Sequence, residues 1–368
     1  MSESIATGRT EPALAPEMPP AVPVAAAAGQ GVLAADVGGT HARLAWATRD
    51  ADGVLRLQRV QRYACAEHAG LGAILADYVA GLAHAGVAGG PLPAVVAIAG
   101  VADGDAWLNA NLPWPVSRAR TRAEAGLASL ELLNDFAALA YGIPLADPAA
   151  LQPLVGQGTH RFRWPALVLG PGTGLGAALR FADGERPVLG TEVGHAALAA
   201  GNALELEVLA RLLRRWPHVG NERVLSGTGL LNLYGCLCEI EGAAPCWHTP
   251  AEVVAAADRG DALAVRTVRA FCEWLGSAVG DLVVTFEARS VYLAGGVSGH
   301  LRHWLAEGGF ARRFLNKGVL APTLEQVPVW RIEHGELAVL GAAAWHLAHP
   351  GHADAGPAMQ PPFPGDRP

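Results

Sequence analysis

Lysine is nearly missing from this chain. Of its 368 residues only Lys317 is one, so arginine carries almost all the positive charge. That excludes several chemistries at once. A P-loop requires G-x-x-x-x-G-K-[ST], a protein kinase a strand lysine and a pyridoxal enzyme a Schiff-base lysine, and none has a candidate here. Any nucleotide phosphate must be held by another cradle. Long basic runs are lacking too, and with a formal net charge of −7 the broad positive face of a nucleic-acid binder is missing. Small-molecule partners are expected instead. No uninterrupted apolar stretch reaches the roughly eighteen residues of a membrane span.

Cysteine is sparse and unpaired in pattern. Cys65, Cys236, Cys238, Cys246 and Cys272 are odd in number and contain no C-x-x-C. Cys236 and Cys238 with Cys246 and His248 match no common zinc spacing, so the thiols read as small buried hydrophobes rather than ligands. Free thiols without a disulfide framework fit a reducing cytoplasm. A signal peptide is not expected, because Glu3, Glu11 and Glu17 and the prolines at 12, 16, 19, 20 and 23 interrupt any apolar core. Residues 1–30 read as a disordered Ala/Pro-rich arm and 351–368 as a disordered tail.

What remains is rich in apolar residues, 51% hydrophobic against 17% charged, and long enough for about two domains. Strand and helix alternate, which predicts an α/β protein. A buried strand over 31–35, its return over 42–48 and a third strand over 54–63 form a meander. Helix 71–85, strand 94–99, helix 118–125, strand 130–133 and a helix from Phe136 follow. At 166–169 the opening repeats: strand, glycine turn over 170–174, returning strand 176–181, an Asp183-Gly184 turn and a strand over 186–189. Two such openings, from Asp36 and from Gly170, point to an internal duplication of fold. Helices over 204–215, 229–240 and 262–287, strands 290–293 and 327–332, and a last helix over 337–349 complete the pattern. That last helix is expected to pack back on the first half.

The polar residues gather at strand ends. Asp36, Gly38, Gly39 and Thr40 close the first strand. Glycines there let backbone N–H groups approach phosphate oxygens, Thr40 adds a hydroxyl, and Asp36 could hold Mg²⁺; an ordinary hairpin would use the same glycines only for positive φ. Gly170, Gly172, Thr173, Gly174 and Gly176 repeat the device. Gly172-x-Gly174-x-x-Ala177 with Glu192 downstream also fits a dinucleotide fingerprint, but that fingerprint must open a helix and this one leads into a strand. Asn134 and Asp135 end a strand and begin a helix, serving as an N-cap, as a carboxylate at the ligand-binding edge of a sheet, or as both. Glu192, His195 and Glu222 can grip a polyol through several hydrogen bonds, or lie on the surface. Gly295 and Gly296 form a tight turn that would also leave room for an adenosine.

In order along the chain, Asp36-Val-Gly-Gly-Thr40-His41-Ala-Arg43, Asn134-Asp135-Phe136, Gly170-Pro-Gly-Thr-Gly-Leu-Gly176, Glu192-Val-Gly-His195, Glu222-Arg-Val-Leu-Ser-Gly227 and Leu293-Ala-Gly-Gly296 resemble the bacterial glucokinase family over about 31–349. The resemblance implies an α/β, duplicated actin-like ATPase (ribonuclease H-like) fold with two α/β domains and a cleft between them. The smaller would be 31–145 with 336–350, the larger 146–335. It further implies a homodimer that phosphorylates glucose with ATP and Mg²⁺, Asp135 being the general base. Asn111, Asn134, Asp135, Glu192, His195 and Glu222 would bind the sugar. Asp36, Gly38, Gly39, Thr40, Gly170, Gly172, Thr173 and Gly174 would line the phosphate and metal region, and Gly295 and Gly296 the adenosine side. His41 departs from the family pattern, where asparagine is expected. The related repressor/kinase group, acting on other hexoses, ranks second because its cysteine-rich zinc signature is absent. A non-catalytic sugar sensor would have no need of Asp135, and a chaperone or filament ATPase would need more than this compact second half.

Overall fold

The first apolar run becomes the middle of a sheet. In the computed structural model, which describes residues 31–109, 112–156, 162–182, 187–333 and 335–349, β1 (Val32–Val37) is almost wholly buried. It pairs antiparallel with β2 (His41–Arg49) and parallel with β4 (Pro93–Ile98). β3 (Leu55–Ala64), rich in Arg and Gln, lies exposed at the edge, as a charged edge strand should. α1 (Leu71–His84) covers one face through Leu71, Ile74, Leu75 and Tyr78. Beyond β4 the chain makes a small three-stranded sheet, β5 (Val101–Asp103), β6 (Ala106–Leu108) and β7 (Val116–Ser117), absent from the sequence reading. After α2 (Arg118–Glu124), β8 (Ser129–Leu133) completes the first sheet in the order β3-β2-β1-β4-β8.

α3 (Asp135–Gly142) follows at once and joins the two halves. Phe136, Leu139 and Ala140 pack on the second sheet, whereas Ala138 packs toward the first. β9 (Leu151–Val155), also unforeseen, pairs antiparallel at the far edge of that second sheet, where Pro153 is tolerated. β10 (Ala166–Pro171) is fully buried, and β11 (Leu175–Arg180) and β12 (Val188–Thr191) complete a meander like the first. The sheet order is β12-β11-β10-β13-β14-β9, with β13 (Ser290–Leu293) and β14 (Val329–Ile332) parallel to β10 and to each other. Strand for strand, β3-β2-β1-β4-β8 corresponds to β12-β11-β10-β13-β14. The duplication read from the two glycine turns is therefore a duplication of topology, with β9 added.

Helices cover the second sheet. They are α4 (Ala203–Leu212), α5 (Gly227–Glu241), α6 (Pro250–Asp258), the long, half-buried α7 (Ala262–Phe286), the short α8 (Gly296–His300), α9 (Arg302–Ala306), α10 (Gly309–Leu315) and α11 (Ala321–Leu324). α12 (Leu337–Ala348) returns to the first half, as expected, and lays Val339, Ala342 and Ala343 against Val32, Ala34, Val95 and Ala97. It also crosses α3 backbone to backbone: a Cβ on Gly341 would land on the Ala138 carbonyl oxygen, and one on Gly142 on that of Leu337. Only glycine permits that approach. Four of the cysteines are buried hydrophobes, but Cys246 is exposed, because the loop before α6 lies outside the core. The N-terminal arm, the tail, Asn111 and the Asp183-Gly184 turn lie outside the described residues.

Candidate active site

Two glycine hairpins and one helix N-terminus bring the acids together. The first hairpin, between β1 and β2, is closed by Gly38 N–H donating to His41 O at 3.0 Å and steadied by Cys65 N–H donating to Thr40 O at 2.9 Å. Gly38, Gly39 and Thr40 are exposed and keep their backbone presentable to a ligand. Asp36 precedes them on β1, directly opposite Arg43 on β2. Sequence reasoning placed Arg43 in the motif but gave it no role. Its guanidinium favours the ionised Asp36 and donates to the Gly335 carbonyl just before α12.

The second hairpin, between β10 and β11, is closed by Gly172 N–H donating to Gly174 O at 2.8 Å, and Gly227 N–H at the start of α5 donates to Gly172 O at 2.8 Å. The turn joins antiparallel strands, so the dinucleotide fingerprint is a coincidence of spacing. Thr173 is exposed at its tip. Gly170 is buried inside β10, where a Cβ would come within 2.5 Å of the Ala294 carbonyl carbon, so close packing on the β13 end already requires this glycine. Gly295 has φ 82° and abuts Pro171, whereas Gly296 has open space where a Cβ would be.

Asn134 caps α3. Its Oδ1 accepts from Phe136 N at 3.0 Å and Ala137 N at 3.1 Å, and Asp135 Oδ1 also accepts from Phe136 N at 3.0 Å. The capping role is therefore real, and it fixes the backbone that carries Asp135. Behind it Phe136 rests on Gly176, where any Cβ would strike its ring. Burial pushes the Asp135 carboxyl up to about 6, with the Glu192 charge adding to the rise. Burial, then the nearby Asp135, likewise pushes Asp36 up to about 6, against the opposing pull of Arg43. Asp135 thus lies close enough to Asp36 to raise it and close enough to Glu192 to be raised by it. Two carboxyls with raised pKa stand at the carboxyl ends of β1 and β8, the edge of an open α/β sheet where ligands bind.

Glu192 follows β12 directly, and the turn Val193–His195 places His195 Nδ1 3.8 Å from Glu222 Oε1. Glu222 sits under the second hairpin, 2.7 Å from where a Cβ on Gly174 would be and 3.2 Å from one on Gly194. The structure therefore brings Glu192, His195 and Glu222 together beside the second hairpin. Trp114 packs against the first core and donates to Cys65 O at 3.3 Å. Among the described residues no cluster of three or more metal-ligating side chains occurs.

A family model described as Glucokinase matches residues 33–349. The chain belongs to the glucokinase family. It is 43% identical over 321 residues to a glucokinase-like protein of Xylella fastidiosa (strain Temecula1), spanning 86% of this chain and 94% of that one. The glucokinase of Stenotrophomonas maltophilia (strain K279a) is 37% identical over 322 residues, 86% of this chain and 95% of its own. Among solved structures, a glucokinase from an Antarctic psychrotroph superposes with a TM-score of 0.75 at 31% identity, over 86% of this chain and 98% of that one. The actin-like α/β architecture expected from the sequence is the architecture of this family of sugar kinases.

Proposed function

We propose that this member of the glucokinase family transfers the γ-phosphoryl group of ATP to the 6-hydroxyl of D-glucose, with Asp135 as general base. One observation carries the reading: a carboxyl with its pKa near 6, held at the capped N-terminus of α3, shares a site with Glu192 and Asp36 between two glycine hairpins. At neutral pH Asp135 is mostly ionised and still basic enough to take a proton in the transition state. The hydroxyl oxygen bonds to the γ-phosphorus, the bond to the β,γ-bridging oxygen breaks, ADP leaves, and the hydroxyl proton passes to the Asp135 carboxylate. Glu192, His195 and Glu222 accept and donate hydrogen bonds to the other sugar hydroxyls, and Asn134 and Asn111 join them. Gly38, Gly39 and Thr40 with Gly172, Thr173 and Gly174 receive the phosphates, and Gly295 with Gly296 the adenosine.

Asp36 fits a Mg²⁺ site. A hard cation that keeps most of its ligands as water and phosphate oxygens needs only one or two carboxylates, and Asp36, whose ionised form Asp135 disfavours, is such an oxygen donor. When bound, the ion neutralises charge on the transferring phosphoryl group. The lobes proposed are 31–145 with 336–350 and 146–335, each built on one of the two sheets, in a homodimer. The test is sugar-dependent ADP release by the purified protein with Mg²⁺ and ATP, across glucose, mannose, fructose, glucosamine and N-acetylglucosamine, with Asp135→Asn beside it. Turnover on glucose that the variant loses supports the reading, and no ADP with any sugar from folded protein overturns it.

A further inference from the structure

The two turns proposed to hold the sugar are not bonded to each other through their functional groups. His195 Nδ1 and Glu222 Oε1 are 3.8 Å apart, too far for a hydrogen bond to fix either. Their relative position is set from behind by Asn221. Its side-chain Nδ2 donates to Val193 O at 2.9 Å, and its backbone N–H donates to Ala196 O at 2.9 Å, so one residue brackets the Val193–His195 turn on both sides. Its carbonyl accepts from Leu225 N at 2.8 Å and so starts the turn that carries Glu222. Two further straps run alongside: Leu198 N–H donates to Val219 O at 2.9 Å, and His218 Nε2 bonds His195 O at 2.8 Å. A Cβ on Gly220 would come within 2.7 Å of Gly194 O, so the segments touch at their backbones and Asn221 meets no slack.

We infer that Asn221 is a positioning residue for sugar binding, its amide N–H setting the separation between Glu192 and His195 on one turn and Glu222 on the other. The inference rests on the reading that these three side chains bind the sugar. Asn221 contacts no reacting atom in that scheme, so its loss should weaken sugar binding and leave the phosphoryl-transfer step and the nucleotide side alone. The donor is what matters. Aspartate has the same shape but presents only acceptors to the Val193 carbonyl, and should therefore be worse than alanine.

The experiment compares wild type, Asn221→Ala, Asn221→Asp and Glu222→Gln in the full chain, by glucose titration calorimetry and by separate KM values for glucose and ATP. Expected are a rise of about three- to tenfold in glucose Kd and KM for Asn221→Ala, the net worth of one neutral hydrogen bond, and a larger rise for Asn221→Asp. The ATP KM and kcat should stay within about twofold. Equal glucose affinity in wild type and both Asn221 variants, while Glu222→Gln weakens it, overturns the role of Asn221 alone. Asn221→Asp matching wild type while Asn221→Ala does not would show that shape matters and the donor does not, and that also overturns it. Parallel loss of glucose affinity, ATP affinity and thermal stability marks a merely structural residue. No glucose binding by wild type removes the underlying reading instead.

Discussion

Asp135→Asn should make the protein more stable while it abolishes turnover. In the folded chain the Asp135 carboxyl titrates near 6, against 3.8 for an ordinary aspartate. A group whose folded pKa is raised favours folding in its protonated form, so the stability it permits is intact below pH 3.8 and lost as pH climbs through about 6. Linkage over that interval gives a penalty of about 3 kcal/mol at pH 8, about 1.6 at pH 5 and about 0.5 at pH 4. Asparagine keeps the Oδ1 that accepts the Phe136 N–H and carries no charge, so it should recover most of that energy. At roughly 2 °C per kcal/mol the melting temperature should rise by about 4–6 °C at pH 8. Scanning calorimetry of both proteins at pH 8, 7, 6 and 5 reads the difference directly. An unchanged or lowered Tm at pH 8 would refute the reasoning, as would a gap that stays constant with pH, since then the gain would not come from charge.

Three further outcomes are expected. The acid limb of kcat/KM should have an apparent pKa near 6, activity rising with pH as Asp135 ionises, and a limb near 4 in a pH–rate series would count against Asp135 as the base. Glu222→Gln should raise the glucose KM about tenfold, roughly the difference between a charge-assisted and a neutral hydrogen bond, with the ATP KM unchanged; equal effects on both constants would place Glu222 elsewhere than the sugar. Gly341→Ala should cost about 2 kcal/mol, because its methyl would occupy the Ala138 carbonyl at the α3–α12 crossing, and wild-type stability in urea would deny the close approach.

The meanders, the long helices and the acid-bearing strand ends could be read from sequence because each has a local signature: a buried apolar run, a glycine turn, an N-cap. β9 carried none, being five residues with Pro153 inside and half-buried at an edge. The helices from α8 to α11 are four to seven residues long, too short to show a helical period. Asp36 and Asp135 stood out as strand-end acids, but their coupling depends on β1 and β8, nearly a hundred residues apart in the chain, ending at the same edge of one sheet on either side of β4. Asn221 was passed over beside the more conspicuous Glu222. Its importance lies in a bond to a carbonyl 28 residues away, which no spacing rule reveals.

The place of α12 also sets an order of events during synthesis. Its apolar face covers β1 and β4, strands that leave the ribosome early, and its Gly341 seats the helix that begins with Asp135. Until residues 337–348 emerge, the face of the first sheet opposite α1 lacks most of its cover and α3 lacks the helix it crosses. A nascent chain stalled between Glu222 and Leu337 holds every acid of the site and still exposes a strip of Val32, Ala34, Val95 and Ala97 to whatever chaperone or neighbour it meets.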